Sequence, residues 1–282
     1  MKVVFLGMNT SFSAVHFLAL QTEHDVAAVF ITKTPVSLKE RLKKWIFRLT
    51  GYSSSGAFSL VKSCAVYNVP VYYQDSVNDA KSLADLKMLQ PDIICMAGFS
   101  EKLSGKLLNI PRYGVINLHT SILPDYRGAN PFFWMLRKDK VHAGCSVHRV
   151  DEQFDTGAIL ETISFDIYPG VNLHIYNTLA SIEGAKLLLK VLRNFDSYPA
   201  NESTKQGDGL NCRSPRKKDL VITPDLKLQQ ILWLYNAFSD VYLFSVEMSG
   251  QLKPVRKVSS GNFENSTSFK LSDGVIYLKV EK

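Results

Sequence analysis

At 282 residues, with 46% hydrophobic and 21% charged side chains, the chain has material for one large packed core and a small appendage, which excludes a disordered or fibrous protein. No apolar run reaches membrane-span length, the start lacks the features of a signal peptide, and the four scattered cysteines form no Cys-x-x-Cys pair, so the expectation is a cytoplasmic protein with reduced thiols. The net charge of +7 is uneven, with six basic residues against one acid between Lys33 and Arg48.

The chain opens on the strand-like run Lys2 to Leu6, and further strands are expected at Val26 to Ile31, Pro70 to Tyr73, Asp92 to Met96 and Val115 to Leu118, with helices between them. This alternation predicts a Rossmann-like α/β fold, a mainly parallel sheet covered by helices. The first turn, Gly7-Met8-Asn9-Thr10-Ser11, has one glycine, so neither a dinucleotide loop nor a Walker sequence is indicated. In the basic stretch, Leu38, Leu42, Trp45, Ile46 and Leu49 fall at helical spacing opposite the lysines and arginines, with Gly51 as a stop. Such a helix over 37–49 can pack on the body, lie on a membrane surface or partner, or meet phosphates.

Strands are also expected at Gly144 to Arg149 and Ile159 to Phe165, then a long helix from about Leu173 to Leu192. From Asn194 to Asp219 the chain is rich in Ser, Asn, Pro, Gly and charge, as a linker is. Thr223-Pro224-Asp225 reads as a helix start, and the tail alternates strand and turn. The expected division is 1–195 as the main domain, 196–219 as linker and 220–282 as a small β-rich domain.

Chemistry concentrates around Asn117-Leu118-His119, Ser121-Ile122-Leu123-Pro124, Tyr126-Arg127-Gly128 and Asp155-Thr156-Gly157. Asn117 and His119 lie two apart at a strand end, so both point to one face at a carboxyl edge, where open α/β sheets bind ligands. A carboxamide stabilises an oxyanion, an imidazole moves a proton near neutral pH, and a carboxylate orients the imidazole. That combination suits acyl transfer to an amine. No residues stand at metal-ligand spacing.

These four elements, in this order, resemble the signature of the folate-dependent formyltransferases over roughly residues 1 to 195. The resemblance implies 10-formyltetrahydrofolate as donor, with Asn117, His119 and Asp155 as catalytic residues. It also implies a pteridine site bordered by Met96, Gly98 and Phe99 and closed by the loop of Asp151 and Asp155. For Asp151 and Glu152 a solvated turn is the alternative. Acceptor contacts are expected from Ser121, Arg127, Gly128 and Trp134, with Arg127 read rather as a loop brace and Gly128 as a position of positive φ or of close approach to the substrate. A cis bond before Pro124 is suggested by the same likeness. Phe132 and Phe133 are read as the buried side of a helix, and Tyr72, Tyr73 and Trp134 as candidates to stack on a base.

Two acceptors compete. His148 and Asn130-Pro131-Phe132-Phe133-Trp134 resemble sugar-nucleotide formyltransferases more than the tRNA enzyme, implying the amino group of a nucleotide-linked sugar, which is the preferred reading. The basic stretch supports methionyl-tRNA instead, although Asn236 stands where the tRNA enzymes usually carry arginine. A truncated oligonucleotide-binding-like barrel is the resemblance at the C-terminus, and the oligomeric state stays open, a homodimer included.

Overall fold

The computed structural model describes residues 1–32, 58–139, 141–198 and 206–281. The expected basic helix over 37–49 lies outside the described residues. In chain order the elements begin with β1 (Lys2–Gly7), α1 (Ser11–Glu23), β2 (Asp25–Thr32), α2 (Leu60–Val66), β3 (Val71–Gln74), α3 (Ala80–Leu89), β4 (Ile93–Ala97), α4 (Gly105–Leu108) and β5 (Val115–His119). They continue with β6 (Arg127–Gly128), α5 (Pro131–Arg137), β7 (Gly144–Arg149), β8 (Ile159–Ser164) and α6 (Leu173–Arg193). The remainder comprises β9 (Asn211–Cys212), β10 (Val221–Ile222), α7 (Leu228–Phe238), β11 (Ser245–Met248), β12 (Gln251–Ser259), β13 (Thr267–Lys270) and β14 (Val275–Val280).

Seven strands form one sheet in the order β3-β2-β1-β4-β5-β7-β8. The pairs from β3 through β5 are parallel, and β7 runs antiparallel to β5. Parallel strands buried on both faces must be apolar along their length. The runs VVFLG, IICMA and VINLH comply, and β4 and β5 are buried throughout. Against one face pack Val77, Leu86, Leu103 and Leu107, in a cluster that also holds Val4, Leu6, Phe30, Met96 and Val115. On the other, Gly184 of α6 lies so near Leu118 that a Cβ there would stand 2.6 Å from it, and 3.0 Å from the His16 ring. Val115, Asn117 and His119 alternate with Ile116 and Leu118, so the two polar side chains share the face opposite α6.

Two compact units divide the chain. The first comprises Met1–His119, Cys145–Ile163 and Ser181–Gly207; the second comprises Thr120–Gly144, Ser164–Ala180 and Asp208–Lys282. The second holds a five-stranded sheet in the order β10-β11-β12-β14-β13, antiparallel apart from the β10–β11 pair. Its aromatic core stacks Phe132 on Tyr176 at 4.0 Å and brings Phe238 to 5.4 Å from Phe133. Phe132 and Phe133 are buried, as expected.

One expected helix start is corrected. Thr223-Pro224-Asp225 forms only a turn, the Leu226 N–H bonding the Thr223 carbonyl at 3.2 Å. Lys227 is then extended, and α7 begins at Leu228, whose N–H donates to the Asp273 carboxylate at 2.8 Å. The start is held by a local acceptor, Gln230 Oε1 for the Lys227 N–H at 3.2 Å, and by one 45 residues away, Asp273.

Candidate active site

Asn117 and His119 end β5 and are 8% and 7% exposed. Asp155 reaches them from the loop between β7 and β8. Its Oδ1 accepts a hydrogen bond from Asn117 Nδ2 at 3.1 Å, and its Oδ2 lies 3.5 Å from His119 Nδ1. Asp155 itself is left-handed, φ 54°, a conformation that Asp tolerates better than most residues. Gly157 fixes the loop by close approach: a Cβ there would stand 2.0 Å from the Arg149 carbonyl oxygen. Asp151 organises the same loop, accepting from the Gln153 N–H at 2.9 Å and from Thr156 Oγ1 at 2.8 Å.

His148 was not among the expected catalytic or binding residues, yet it sits in the middle of this cluster. It pairs with Asn117 across the β5–β7 register. Its Nε2 lies 3.1 Å from Asn117 Nδ2 and 3.3 Å from Asp155 Oδ1, and its Nδ1 is 2.7 Å from the Arg149 carbonyl oxygen. An imidazole in a buried strand was the available signal; the register that sets it opposite Asn117 was not readable.

Met96 is the last residue but one of β4, and Gly98 follows the strand at φ 69°. A Cβ on Gly98 would meet Ser13 Oγ at 3.1 Å and the Phe12 ring at 3.2 Å. Ser13 holds the turn after β1 against this strand end, accepting from the Met8 N–H at 3.1 Å and donating to the Ala97 carbonyl at 2.8 Å. This is the switch point of the sheet, where β1 and β4 are neighbours and the connections diverge. The 98–104 segment also meets the Asp151 loop: Lys102 Nζ donates to Gln153 Oε1 at 3.1 Å and lies 5.1 Å from the Phe154 ring centre. The pieces named for the pteridine, Met96 to Phe99 and Asp151 to Asp155, thus both lie in the first unit, the Asp151 loop touching the segment that follows Phe99.

Ser121, Arg127, Gly128 and Trp134 belong to the second unit. Ser121 is buried and donates to the Asp125 carbonyl at 2.7 Å. The Leu123–Pro124 peptide is cis, as the resemblance suggested. Arg127 is buried, its N–H bonding the Leu210 carbonyl at 2.9 Å. Gly128 has φ 92°, the positive φ expected of it, and a Cβ on it would lie 2.3 Å from the Cys212 carbonyl oxygen, so the close approach here is to the chain's own backbone. Trp134 donates its indole N–H to the Arg213 carbonyl at 2.7 Å, with the Arg213 guanidinium over its ring. Tyr72 stacks on Phe30 at 4.6 Å, whereas Tyr73 is exposed.

Asn117, His119, His148 and Asp155 thus form one polar cluster at the end of β5. Burial pushes the Cys145 thiol up to about 12 and the Cys95 thiol upward as well, so neither is a thiolate nucleophile near neutrality. Among the described residues no His/Cys/Asp/Glu group could hold a metal ion, and no helix is long and apolar enough to cross a membrane.

Residues 1–192 match the protein family described as Formyl transferase. A methionyl-tRNA formyltransferase of Clostridium botulinum (strain Alaska E43 / Type E3) is 33% identical over 210 residues, 74% of this chain and 63% of that protein. Its counterpart from Geobacter metallireducens is 31% identical over 195 residues, 68% of this chain and 62% of that one. The chain therefore spans a little under two thirds of these relatives' length. Among solved structures, a sugar N-formyltransferase from Shewanella sp FDAARGOS_354 shares the fold with TM-score 0.61 at 17% identity, over 91% of this chain and 97% of that one. HypX from Aquifex aeolicus in complex with tetrahydrofolic acid has TM-score 0.61 at 15% identity, over 99% of this chain and 43% of that one.

Proposed function

The chain belongs to the formyl transferase family, and from that premise we propose that it transfers a formyl group from 10-formyltetrahydrofolate to a primary amine. The observation that carries this reading is the convergence of Asn117, His119 and Asp155 at the end of β5. The amine attacks the formyl carbon, and Asn117 donates an N–H to the oxyanion that develops. Losing one such donor costs on the order of 3 kcal/mol in the barrier. His119, with Nδ1 turned to Asp155, takes the amine proton through Nε2. Asp155 holds that ring in place and favours its charged form through the adjacent negative charge. The tetrahedral adduct then collapses, and the nitrogen of the folate leaves with the bonding pair and a proton.

The residues at the switch point fit a flat, polar donor. Gly98 lets Ser13 and Phe12 pack against the strand end, and the loop of Asp151 to Asp155 gathers carboxylates and backbone groups of the kind that recognise a pteridine. Met96, Gly98, Phe99, Asp151 and Asp155 would hold the donor. Ser121, Arg127, Gly128 and Trp134 would contact the acceptor, Trp134 through its ring since its N–H is already engaged.

Of the two acceptors, methionyl-tRNA has the better support, because the relatives at 31–33% identity carry that name. This reverses the preference drawn from the sequence. The nucleotide-linked amino sugar stands as a second reading, favoured by His148 beside Asn117 and by Asn236, whose amide donates to the Gly170 carbonyl at 2.6 Å. The test is release of tetrahydrofolate from 10-formyltetrahydrofolate with charged methionyl-tRNA and with a panel of nucleotide-linked amino sugars. Turnover with the tRNA alone supports the first reading, and turnover with a sugar alone replaces it by the second.

A further inference from the structure

Between β4 and α4 the chain runs from Gly98 to Ser104 without regular structure, and through Lys102 it meets the Asp151 loop, so it joins the two pieces assigned to the donor. A segment of this kind keeps its course only where other groups satisfy its backbone and hold its side chains. Glu101 supplies the anchor. Its Oε2 accepts from the Val77 N–H at 3.0 Å and from the Thr32 hydroxyl at 3.4 Å, and its Oε1 accepts from Asn78 Nδ2 at 2.9 Å and from the Ser76 hydroxyl. The carboxylate thus ties the segment to the end of β2 and to the turn after β3. Asn78 completes the network from the other side, donating to the Lys102 carbonyl at 2.8 Å and accepting from the Ser104 N–H at 2.7 Å. Leu103, between these two anchored residues, is buried in the core cluster.

A carboxylate satisfies all four donors, and an amide of the same size does not. An amide nitrogen in place of Oε2 would face the Val77 N–H, and in place of Oε1 it would face the Asn78 amide nitrogen. Asn78 cannot turn its oxygen round, because its present orientation serves both Lys102 and Ser104. Ser76 Oγ accepts from the Asn78 N–H at 3.1 Å and directs its own hydrogen to Glu101. We propose that Glu101 is a positioning residue for the folate donor: its side chain touches no reacting atom, and by fixing the course of residues 98–104 it sets where Gly98, Phe99 and, through Lys102, the Asp151 loop meet the donor. The inference rests on the reading of this sheet edge as the donor site.

The test is calorimetric titration of the folded protein with 5-formyltetrahydrofolate, a stable isomer of the donor, beside steady-state kinetics with 10-formyltetrahydrofolate. Glu101→Gln is expected to weaken folate binding and to raise the folate KM by about 5- to 10-fold, with kcat within about 3-fold of the parent and the acceptor KM unchanged. Asn78→Ala should act in the same way. The double variant should be no more than about 2-fold worse than the poorer single one, because both substitutions break one network. Asp273→Ala, which loosens the start of α7 in the second unit, controls for lost stability and should bind folate as the parent does. Folate binding unchanged in Glu101→Gln, or a fall of kcat with the folate KM unmoved, overturns the proposal while the donor site stands. A parent protein that neither binds 5-formyltetrahydrofolate nor releases tetrahydrofolate overturns the reading of the donor site, and the proposal with it.

Discussion

Replacing Asn117, His119 or Asp155 by alanine is expected to lower kcat by at least about 100-fold without unfolding the protein, because each removes a group facing the reacting atoms while β5 keeps its apolar neighbours. Single-turnover rates on folded, purified variants check this, and near-normal turnover in His119→Ala would sink the mechanism. Another histidine sets the response of stability to pH. His16 is fully buried, donates from Nδ1 to the Phe12 carbonyl at 2.7 Å, and has no partner for Nε2 among the described residues. Burial lowers its pKa from 6.5 to about 4. The unfolded chain takes up this proton below pH 6.5 and the folded chain only below about 4. Its neutral form thus favours folding fully above pH 6.5, and that advantage is lost on acidification to about pH 4, by on the order of 3 kcal/mol. Urea denaturation of His16→Leu across this window is expected to show a shallower loss than the parent; an equal slope would contradict the assignment. Gly157 makes a third expectation, since a methyl group there collides with the Arg149 carbonyl. Gly157→Ala should lower stability by about 1–3 kcal/mol and shift Asp155 enough to reduce kcat, read by thermal melts beside turnover.

At the scale of elements, α7 shows how distant groups complete a helix. Gln230 donates to the Leu136 and Arg137 carbonyls at the end of α5 and accepts from the Lys227 N–H, while Asp273 caps Leu228. Gln230→Ala removes the side-chain donor of the part-buried Arg137 carbonyl, while the Leu136 carbonyl keeps the Asp139 N–H, and is expected to destabilise by about 1–3 kcal/mol, against about 1 kcal/mol for Asp273→Ala at the exposed cap. A melt in which Asp273→Ala is the worse of the two would contradict that ranking. The seven strands of the main sheet were legible to within a residue or two of their ends, the central ones because doubly buried strands read as apolar runs bounded by turns. Asn117, His119 and Asp155 were legible as a motif. His148 beside Asn117 was not, since antiparallel register across β5 and β7 depends on how the sheet assembles. The start of α7 failed because Thr223-Pro224 offered a stronger cap pattern than Lys227 with Gln230, and because the second acceptor, Asp273, lies far along the chain.

For the whole molecule, the first unit carries the sheet and the Asn117–His119–Asp155 group, and the second carries the loop after β5 and the five-stranded sheet. The basic stretch from Lys33 to Arg48 bears on the acceptor through its charge alone. If methionyl-tRNA is the acceptor, replacing Lys39, Arg41, Lys43, Lys44 and Arg48 by glutamine should weaken tRNA binding and flatten its dependence on salt by up to about one unit of slope per lost phosphate contact. Unchanged binding and slope would remove this stretch from the tRNA reading. The central claim, formyl transfer by Asn117, His119 and Asp155, is tested most directly by following tetrahydrofolate release from 10-formyltetrahydrofolate, with and without an amine acceptor, in the parent protein and in His119→Ala. The expected result is release that requires the amine and falls at least about 100-fold in the variant. Release that proceeds equally in both proteins, or an absence of release with either class of acceptor, would contradict it.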